Sequence, residues 1–427
     1  MMKKKWMAAT LATAMIMSCT GGAMTAYADD SSSDAETVLT LWYWKNSIQE
    51  DLLEQVSEEF PGVKIDAQLY SADDIEEKIN TTIASGGELP DLLAMDDWIA
   101  NLLQYPDEFV NLYDAPCNAA DIEDQYVEWK WKKAETPDGK LIALPMDIGP
   151  TCMFYNAALF EAAGLPTDPD EVAAMMGTWE DAYAAAEKLQ AATPEVKMFD
   201  FLGHIFVATL GQQTTHLIDK DGNFVADQDN IKDAFMTAAD AKPYVYGGDS
   251  EWSPEWAAAM NNGDIAAFVG AVWMKPEIEN AAPDTAGDWR VTSAPGGPGN
   301  VGGSAIGITK NCEDVETAYK VITWLTNKQN QLSSLEKLGL FPSLISALDD
   351  DSLMYEESFF GDEVVNKYFV EAAKNINDLY YPPNYSSYQD VFEQQLLLVQ
   401  DQDKDPEQAY QDAVDEARDM YDMENLF

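Results

Sequence analysis

The sequence predicts an α/β protein with two lobes, between which the chain crosses three times. Residues 37–95 alternate strand and helix patterns, which is typical of a parallel sheet covered by helices. Three stretches rich in glycine or proline, near residues 147–151, 298–303 and 339–343, then divide the chain into four pieces. If the first and third pieces form one lobe and the second and fourth form the other, these stretches are hinge crossings.

The N terminus has the pattern of a secretion signal. Lys3–Lys5 precede the apolar segment Trp6–Met17, and Ala26 and Ala28 are the small residues of a small-x-small cleavage site. The apolar segment has roughly 12 residues, whereas a permanent membrane span needs about 20. A second interpretation stays open, because Ile16–Cys19 resembles a lipobox, which would leave Cys19 lipidated at the mature N terminus. Under both interpretations we expect export to the extracellular face or the periplasm, either free or anchored by lipid.

Composition excludes several classes of partner. The 427 residues carry a formal net charge of −51, and removing the three lysines of residues 1–28 brings the mature chain to −54. Such an acidic surface repels nucleic acid and anionic lipid, so we expect neither as a partner. An apolar content of 46% and an aromatic content of 11% nevertheless predict a folded chain. Cys117, Cys152 and Cys312 are odd in number and widely spaced, so no disulfide framework is predicted.

The first lobe is predicted from the patterns that precede the first crossing. Strands are expected at residues 37–44, 63–69 and 91–95, with helices between them. Ser47 and Glu50 have the spacing of a capping box at the start of the first helix. In such sheets, ligands bind beyond the carboxyl ends of the strands. The residues at these ends are Trp44, Asn46, Asp96, Asp97 and Trp98.

The remaining elements follow the first crossing. A strand over 140–144 leads into that crossing, a second over 152–155 leaves it, and Asn156 caps the next helix. Later signals are a helix capped by Thr178, a hairpin turn over 219–222, strands over 265–270, 290–293 and 305–309, and helices over 314–327 and from Pro406. Trp273 stands just past the first of these later strands, and Tyr385 lies just before a helix.

Four short motifs resemble catalytic or metal sites but stand in the wrong context. Residues 297–302 fit the glycine pattern of a dinucleotide loop, yet a strand follows instead of the helix that would bind a pyrophosphate. Ser304 follows two glycines, as in a hydrolase elbow, but nothing links it to either histidine. Residues 401–405 have calcium-loop spacing, but Pro406 replaces the required glycine. Tyr380–Tyr381 resembles the tyrosine pair of ferric-binding proteins without a further sign of a metal site, so we predict no catalytic residue, metal ligand or cofactor.

Aromatic and polar residues provide the positive signal for a binding site. Sugars present apolar C–H faces and hydroxyl groups, so their sites pair aromatic rings with carboxylates and amides. Several such residues fall at predicted strand ends and hinge loops, which border one cleft if the two lobes meet there. The candidates for ligand binding are Trp44, Asn46, Asp96, Asp97, Trp98, Asp147, Trp273, Gly303 and Tyr385.

Several segments, spread over nearly all of the mature chain, resemble one family of binding proteins. They are residues 39–44 (LTLWYW), 88–96 (ELPDLLAMD), 139–145 with 154–156 and 163–166 (GKLIALP, FYN, AGLP), 262–273 (NGDIAAFVGAVW) and 302–310 (GGSAIGITK). Their order and spacing resemble the extracellular sugar-binding proteins of ABC importers, solute-binding protein family 1, the group that includes maltose-binding protein.

The resemblance implies a type II periplasmic-binding-protein-like fold, in which each lobe is a mainly parallel sheet flanked by helices. The expected boundaries are a signal peptide over 1–28, a polar tether over 29–36, lobe 1 over 37–147 plus 302–341, and lobe 2 over 151–298 plus 343–427.

The resemblance also implies a function. A monomer would bind a neutral sugar or oligosaccharide between its lobes, without catalysis, and deliver it to a membrane permease driven by a separate ATPase. Trp273 stands where a stacking tryptophan is usual, and Tyr385 lies in a segment that supplies a late aromatic platform. Asp97 and Trp98 match a sugar-contacting loop, whereas Gly149 stands where a charged residue is often found. The alternative is a secreted carbohydrate-active enzyme, a hydrolase or lyase, for which the sequence offers no identifiable nucleophile.

Overall fold

The computed structural model describes residues 37–248 and 250–424, so the predicted signal peptide, the tether and Cys19 lie outside the described residues. Its strands are β1 Thr37–Trp44, β2 Val63–Tyr70, β3 Leu92–Met95, β4 Ala143–Pro145, β5 Asp147–Ile148, β6 Thr151–Asn156, β7 Ala267–Ala271, β8 Trp289–Thr292, β9 Ala305–Ile308 and β10 Phe341–Pro342. Its α-helices are α1 Glu50–Glu59, α2 Ala72–Ala84, α3 Ile99–Leu102, α4 Glu128–Lys132, α5 Ala157–Ala162, α6 Pro169–Met175, α7 Trp179–Ala192, α8 Leu202–Gly211, α9 Asp229–Asp240, α10 Pro254–Asn262, α11 Met274–Ala281, α12 Val315–Leu325, α13 Lys328–Leu338, α14 Ile345–Leu348, α15 Asn366–Asn375, α16 Tyr385–Gln402 and α17 Pro406–Glu424. Short 3-10 helices lie at Pro106–Glu108, Ala119–Asp121, Glu123–Gln125, Lys242–Tyr244, Pro283–Thr285, Asp351–Leu353 and Ser358–Phe360. Not one of these helices combines the length and the apolar character needed to cross a membrane.

The first sheet has five strands in the order β2-β1-β3-β9-β4. β1 pairs in parallel with β2 and β3, which confirms the prediction from alternating strand and helix patterns. β9 arrives from the second crossing and pairs antiparallel with β3 and β4. Helices α1, α2 and α12 pack on this sheet. Because β1 and β3 are parallel neighbours, their carboxyl ends lie side by side at one edge, where such sheets bind ligands.

The second sheet has three strands in the order β7-β6-β8. The expected mainly parallel sheet is not found here, because β6 pairs antiparallel with both of its neighbours. In the first sheet four of the five strands run in one direction and only β9 is reversed. The physical reason for the antiparallel pairing of β6 is the route of the chain. β6 begins at the first crossing and runs away from it, whereas β8 leads back to the second crossing. Single parallel bridges from Lys197 to Ile265 and from Phe199 to Val245 lie next to this sheet, and α5, α6, α8 and α15 pack on it.

The three crossings lie side by side, and the first is hydrogen-bonded to both of the others. β5 in the first crossing pairs antiparallel with β10 in the third. The second crossing pairs with the first, since the Val301 N–H donates to the Gly149 carbonyl and the Thr151 N–H donates to the Gly299 carbonyl, both over 2.9 Å. A Cβ atom at Gly149 would lie 1.8 Å from the Val301 carbonyl oxygen. This close approach of two backbones requires glycine, which explains why the chain lacks the charged residue that the resemblance implies there.

Some predicted details differ in the structure. The capping box is wrong, because α1 has no side-chain cap and the Ser47 hydroxyl instead donates to the Trp44 carbonyl over 2.6 Å. That bond closes the turn after β1, which keeps Ser47 away from the first turn of the helix. Tyr385 is the first residue of α16 rather than the residue before a helix. The caps predicted at Asn156 and Thr178 are confirmed, since both side chains accept hydrogen bonds from backbone N–H groups of their helices.

The three described cysteines are buried free thiols. Cys117 and Cys312 belong to the apolar core of the first sheet, and Cys152 belongs to the core of the second. Burial raises the pKa of the Cys117 thiol to about 11 and that of Cys312 to about 12. Protonated, buried thiols are poor nucleophiles, so these cysteines act as small core residues.

An ion pair beside the second sheet makes stability depend on pH. His204 Nδ1 lies 2.7 Å from a carboxylate oxygen of Asp200. Burial disfavours the charged imidazole, but Asp200 outweighs this effect and raises the pKa of His204 to about 9. An unfolded histidine has a pKa near 6.5, so the pair contributes fully below about pH 6.5 and its contribution is lost as the pH rises through about 9.

We expect His204→Gln to lower the free energy of unfolding by about 2–3 kcal/mol at pH 6 and by much less at pH 9.5. Glutamine removes the charge while keeping hydrogen-bonding groups, and it leaves Asp200 bonded to the Trp256 indole N–H at 3.2 Å. Denaturant unfolding of both proteins at the two pH values measures the difference. An equal loss at both values would show that His204 acts through packing and not through its charge.

Candidate functional site

One cavity collects most of the residues that the sequence analysis proposed for ligand binding. It has a volume of about 730 Å³ and lies at the carboxyl ends of β1, β3 and β7, beside the crossings. Six of the nine candidates line it, namely Trp44, Asn46, Asp96, Asp147, Trp273 and Gly303. Asp97, Trp98 and Tyr385 lie elsewhere around it, and their contacts are described below.

Aromatic rings form part of the cavity wall. Trp273 is half-buried, and its indole N–H donates to the Val301 carbonyl of the second crossing over 3.2 Å. Trp44 ends β1, and its ring packs at a 54° tilt on Trp98, with the centroids 6.3 Å apart. Trp98 therefore supports the Trp44 ring from one side, and whether it also touches a ligand stays a prediction.

Two carboxylates of the cavity accept hydrogen bonds from backbone N–H groups, and the buried Lys130 is the cation that acts on both. Asp96 follows β3, and one of its oxygens accepts from the Asp97 N–H over 2.7 Å. Burial, with the neighbouring Asp97 charge, raises the pKa of Asp96 to about 6. Asp147 accepts from the Ser304 N–H over 3.0 Å, and burial raises its pKa as well. Each group keeps acceptor capacity for a hydroxyl-bearing ligand, because a carboxylate accepts several hydrogen bonds.

A buried lysine lies beneath the floor of the cavity. Lys130 donates to the Gly303 carbonyl, and burial together with the nearby Lys133 charge lowers its pKa to about 8. A Cβ atom at Gly303 would lie 2.8 Å from the Asp147 carbonyl oxygen and 3.0 Å from Lys130 Nζ. Gly303 is therefore part of the site through its backbone, because no side chain fits above the lysine. Sequence reasoning missed Lys130, whose position between Trp129 and Trp131 gives no sign of a site.

Asp97 and Tyr385 are occupied by contacts within the protein. Asp97 forms a buried ion pair with Lys133 at 2.7 Å. Its second oxygen accepts from the Gly302 N–H over 3.1 Å and from the Tyr385 hydroxyl over 3.4 Å. Lys133 Nζ also lies 3.6 Å from the centre of the Tyr381 ring. In this structure the two predicted ligand residues thus join β3 to the second crossing and to α16, and ligand contact by either stays a prediction.

His216 completes this group of aromatic residues. Its ring centre lies 5.6 Å from that of Tyr381 and 5.5 Å from that of Tyr385. Burial lowers the pKa of His216 to about 3, so the imidazole is neutral. The cation of this cluster is the ammonium of Lys133, which pairs with the Asp97 carboxylate and lies over the Tyr381 ring. Across the described part of the chain, no group of three or more His, Cys, Asp or Glu side chains is arranged to hold a metal ion.

The cavity also contains residues that sequence reasoning did not propose. Trp252 and Tyr355 add two aromatic rings to its lining. Lys275 lines it too, with its ammonium 2.8 Å from Glu357 and 2.7 Å from the Asn366 side-chain oxygen. Trp252 and Tyr355 come from loops that are far in sequence from the strand ends, whereas Lys275 lies at the start of α11, shortly after β7. In the sequence, Trp252 could have been noticed as a tryptophan in a loop, within the stretch Glu-Trp-Ser-Pro-Glu over 251–255. The strand and helix patterns do not connect that loop to the cleft.

The chain is similar in sequence and in structure to known binding proteins. The arabinooligosaccharide-binding protein of Bacillus subtilis (strain 168) is 23% identical over 91% of this chain and 93% of its own. The lactose-binding protein of Rhizobium radiobacter is also 23% identical, over 78% of this chain and 81% of its own. A crystal structure of an extracellular solute-binding protein of family 1 superposes with a TM-score of 0.85 and 27% identity, covering 90% of this chain and 100% of the other.

The family assignment rests on a match to a family rather than to a single protein. Residues 43–332 match the sequence profile of a single family, described as bacterial extracellular solute-binding protein. The matched part includes the end of β1, the other four strands of the first sheet, the first two crossings and the strand ends that carry Trp44, Asp96 and Trp273. The predicted two-lobed fold is confirmed by the structural similarity. The chain belongs to the bacterial extracellular solute-binding protein family.

Proposed function

We propose that this protein is the extracellular receptor of an ABC importer and that it binds a neutral sugar or oligosaccharide in the 730 Å³ cavity. The observation that carries the proposal is the meeting of Trp273 with Asp96 and Asp147 in one cavity at the strand ends. An aromatic ring beside carboxylate acceptors suits the C–H faces and hydroxyl groups of a sugar. The names of the two curated relatives, which describe an arabinooligosaccharide and lactose as their ligands, support the same class.

The lobes of this receptor are proposed to span residues 37–147 plus 302–341 and residues 151–298 plus 343–427. The separate cores around the two sheets, and the meeting of the crossings beside the cavity, support these boundaries. Bound sugar would favour the closed arrangement, because only contacts that differ between open and closed states shift that equilibrium. The closed receptor, a monomer, would then dock on a membrane permease. Mass spectrometry of the mature N terminus distinguishes cleavage after Ala28 from lipid attachment at Cys19.

The test of the proposed function is calorimetric titration of the mature protein with neutral sugars. The panel contains L-arabinose, arabinobiose and arabinotriose, and galactose with lactose. Binding of one molecule per protein in the micromolar range or tighter, with the sugar intact afterwards, is the expected result. No binding of any member would contradict the proposal.

A secreted carbohydrate-active enzyme is the second candidate, and one observation favours it. Asp96 and Asp147 lie in one cleft, burial raises the pKa of both, and enzymes that cleave glycosides use a pair of carboxyl groups. Product analysis after the titration decides between the two functions. We propose the binding function because the family and the relatives are binding proteins, and we expect the sugar to be recovered uncleaved.

Binding should weaken at acid pH if Asp96 accepts a hydrogen bond from the sugar. The carboxylate is charged above its pKa of about 6, so protonation at lower pH removes an acceptor. Between pH 7.5 and pH 5 we expect the affinity to fall by about tenfold, because only about one-tenth of Asp96 stays charged one pH unit below the pKa. Asp96→Asn should bind weakly at both values and show little pH dependence. A wild-type affinity that does not change over this range would remove the Asp96 charge from sugar recognition.

A further inference from the structure

Trp252 is an exposed aromatic residue for which the proposed site gives no role. Its side chain is 60% exposed, and the other large apolar residues with high exposure in the described chain include no further tryptophan. It lines the same cavity as Trp273. Exposing so much apolar surface is unfavourable in water, and an exposed aromatic residue inside a cleft is typical of a surface that a ligand covers.

The ring of Trp252 stacks on that of Trp273. The two rings are nearly parallel, at 9°, and their centres are 5.8 Å apart. Trp273 is fixed from behind by its bond to the Val301 carbonyl at 3.2 Å, so it gives Trp252 a firm support. One face of the Trp252 indole packs on Trp273. Because Trp252 is 60% exposed and lines the cavity, we infer that its other face is open to the cavity.

The size of the cavity exceeds what one sugar ring requires. A volume of about 730 Å³ falls in the upper part of the range of about 300–1,000 Å³ that holds drug-sized ligands. Tyr355, 42% exposed, lines the same cavity and is a second uncovered ring. A monosaccharide beside Asp96 and Asp147 would leave these outer rings uncovered.

We propose that Trp252 is a specificity-determining residue that binds the second ring of an oligosaccharide whose first ring lies beside Trp273, Asp96 and Asp147. This inference rests on the proposed function and adds the length of the ligand to it. The open face of the indole receives the C–H face of the second ring. Tryptophan suits this role because it has two rotatable bonds and loses little conformational entropy when it is covered. The cleft thereby selects chains of two or more rings over monosaccharides.

The test compares ligand lengths in one variant. Calorimetric titration of Trp252→Ala with L-arabinose, arabinobiose and arabinotriose, and with galactose and lactose, should show a loss of about tenfold or more for the longer sugars and a change within about twofold for the monosaccharides. Trp252→Phe keeps an aromatic face and should recover most of the lost affinity. Tyr105→Ala is the matched control, since Tyr105 is 40% exposed but is not a lining residue of this cavity, and it should bind every sugar as the wild type does.

The outcomes separate this inference from the function on which it rests. An equal loss for all lengths would show that Trp252 acts only by supporting Trp273, and no loss for any length would show that it does not touch the sugar. Either result overturns the inference and leaves the receptor function intact. A wild-type protein that binds no member of the panel overturns the proposed function itself. Thermal unfolding of each variant confirms that a measured loss does not come from unfolding.

Discussion

Replacing Trp273 by alanine is expected to weaken carbohydrate binding by roughly 2–4 kcal/mol, which corresponds to a loss of at least about thirtyfold. The ring lies at the end of β7, half-buried, with its N–H bonded to the second crossing at 3.2 Å. A rigid ring that is covered by a ligand contributes more than a mobile surface residue, because little freedom is lost on binding. Calorimetric titration of the variant with the sugar that binds the wild type most tightly measures this loss.

A second variant separates the ring from its hydrogen bond. Trp273→Phe keeps an aromatic face but removes the bond to the Val301 carbonyl, so it should bind better than Trp273→Ala and more weakly than the wild type. Denaturant unfolding of both variants serves as the control for folding. Unchanged affinity of the alanine variant, with folding intact, would remove Trp273 from the site.

Lys133→Met is expected to lower the free energy of unfolding by roughly 3–5 kcal/mol. Its ammonium lies 2.7 Å from Asp97, and the exposed fractions of the two side chains are 5% and 12%. Methionine preserves much of the volume of the lysine side chain but leaves Asp97 with a buried charge and without its ion pair. Breaking a buried pair on one side costs far more than an exposed ion pair contributes, because the remaining charge has lost its water. Denaturant unfolding at pH 7 measures the change.

The double variant Lys133→Met with Asp97→Asn tests the reason for this loss. If the cost comes from an unpaired charge, removing that charge should restore a large part of the stability. Lys132→Met is the matched control one residue away, because Lys132 is half-exposed and pairs with exposed Glu128 and Asp378, and we expect a change below about 1 kcal/mol. A loss for Lys133→Met no larger than that of the control would contradict the assignment of a buried, stabilising pair.

Local patterns were sufficient to predict the three parallel strands of the first sheet and their ligand-binding edge, but not the antiparallel pairing of β9. The alternation of strands and helices over residues 37–95 determines parallel pairing, and that pairing places the residues after β1 and β3 together. Trp44, Asn46 and Asp96 were predicted on this basis, and the structure brings them to one cavity with Trp273. The rule that ligands bind beyond the carboxyl ends of parallel strands needs only the direction of each strand, and alternating strand and helix patterns indicate that direction.

Local patterns could not predict contacts between residues that are far apart in the sequence. Lys133 meets Asp97 across 36 positions, and Tyr385 meets the same carboxylate across 288. The sequence contains 76 acidic residues, so it cannot tell which carboxylate a given lysine will pair with. The antiparallel pairing of β6 was missed for a related reason, since the direction of a strand that enters from another lobe depends on the route of the whole chain.

The glycine at position 149 has a consequence for how the lobes can move. The first crossing is hydrogen-bonded to the second and paired with the third, and the backbones at Gly149 and Val301 approach so closely that no side chain fits between them. Three separate connectors would permit bending and twisting in several directions. Here the three connectors are joined side by side into one ribbon, so they share a single bending axis. We therefore expect any relative motion of the proposed lobes to be a rotation about that ribbon, which would bring the walls of the cavity together in the same register each time.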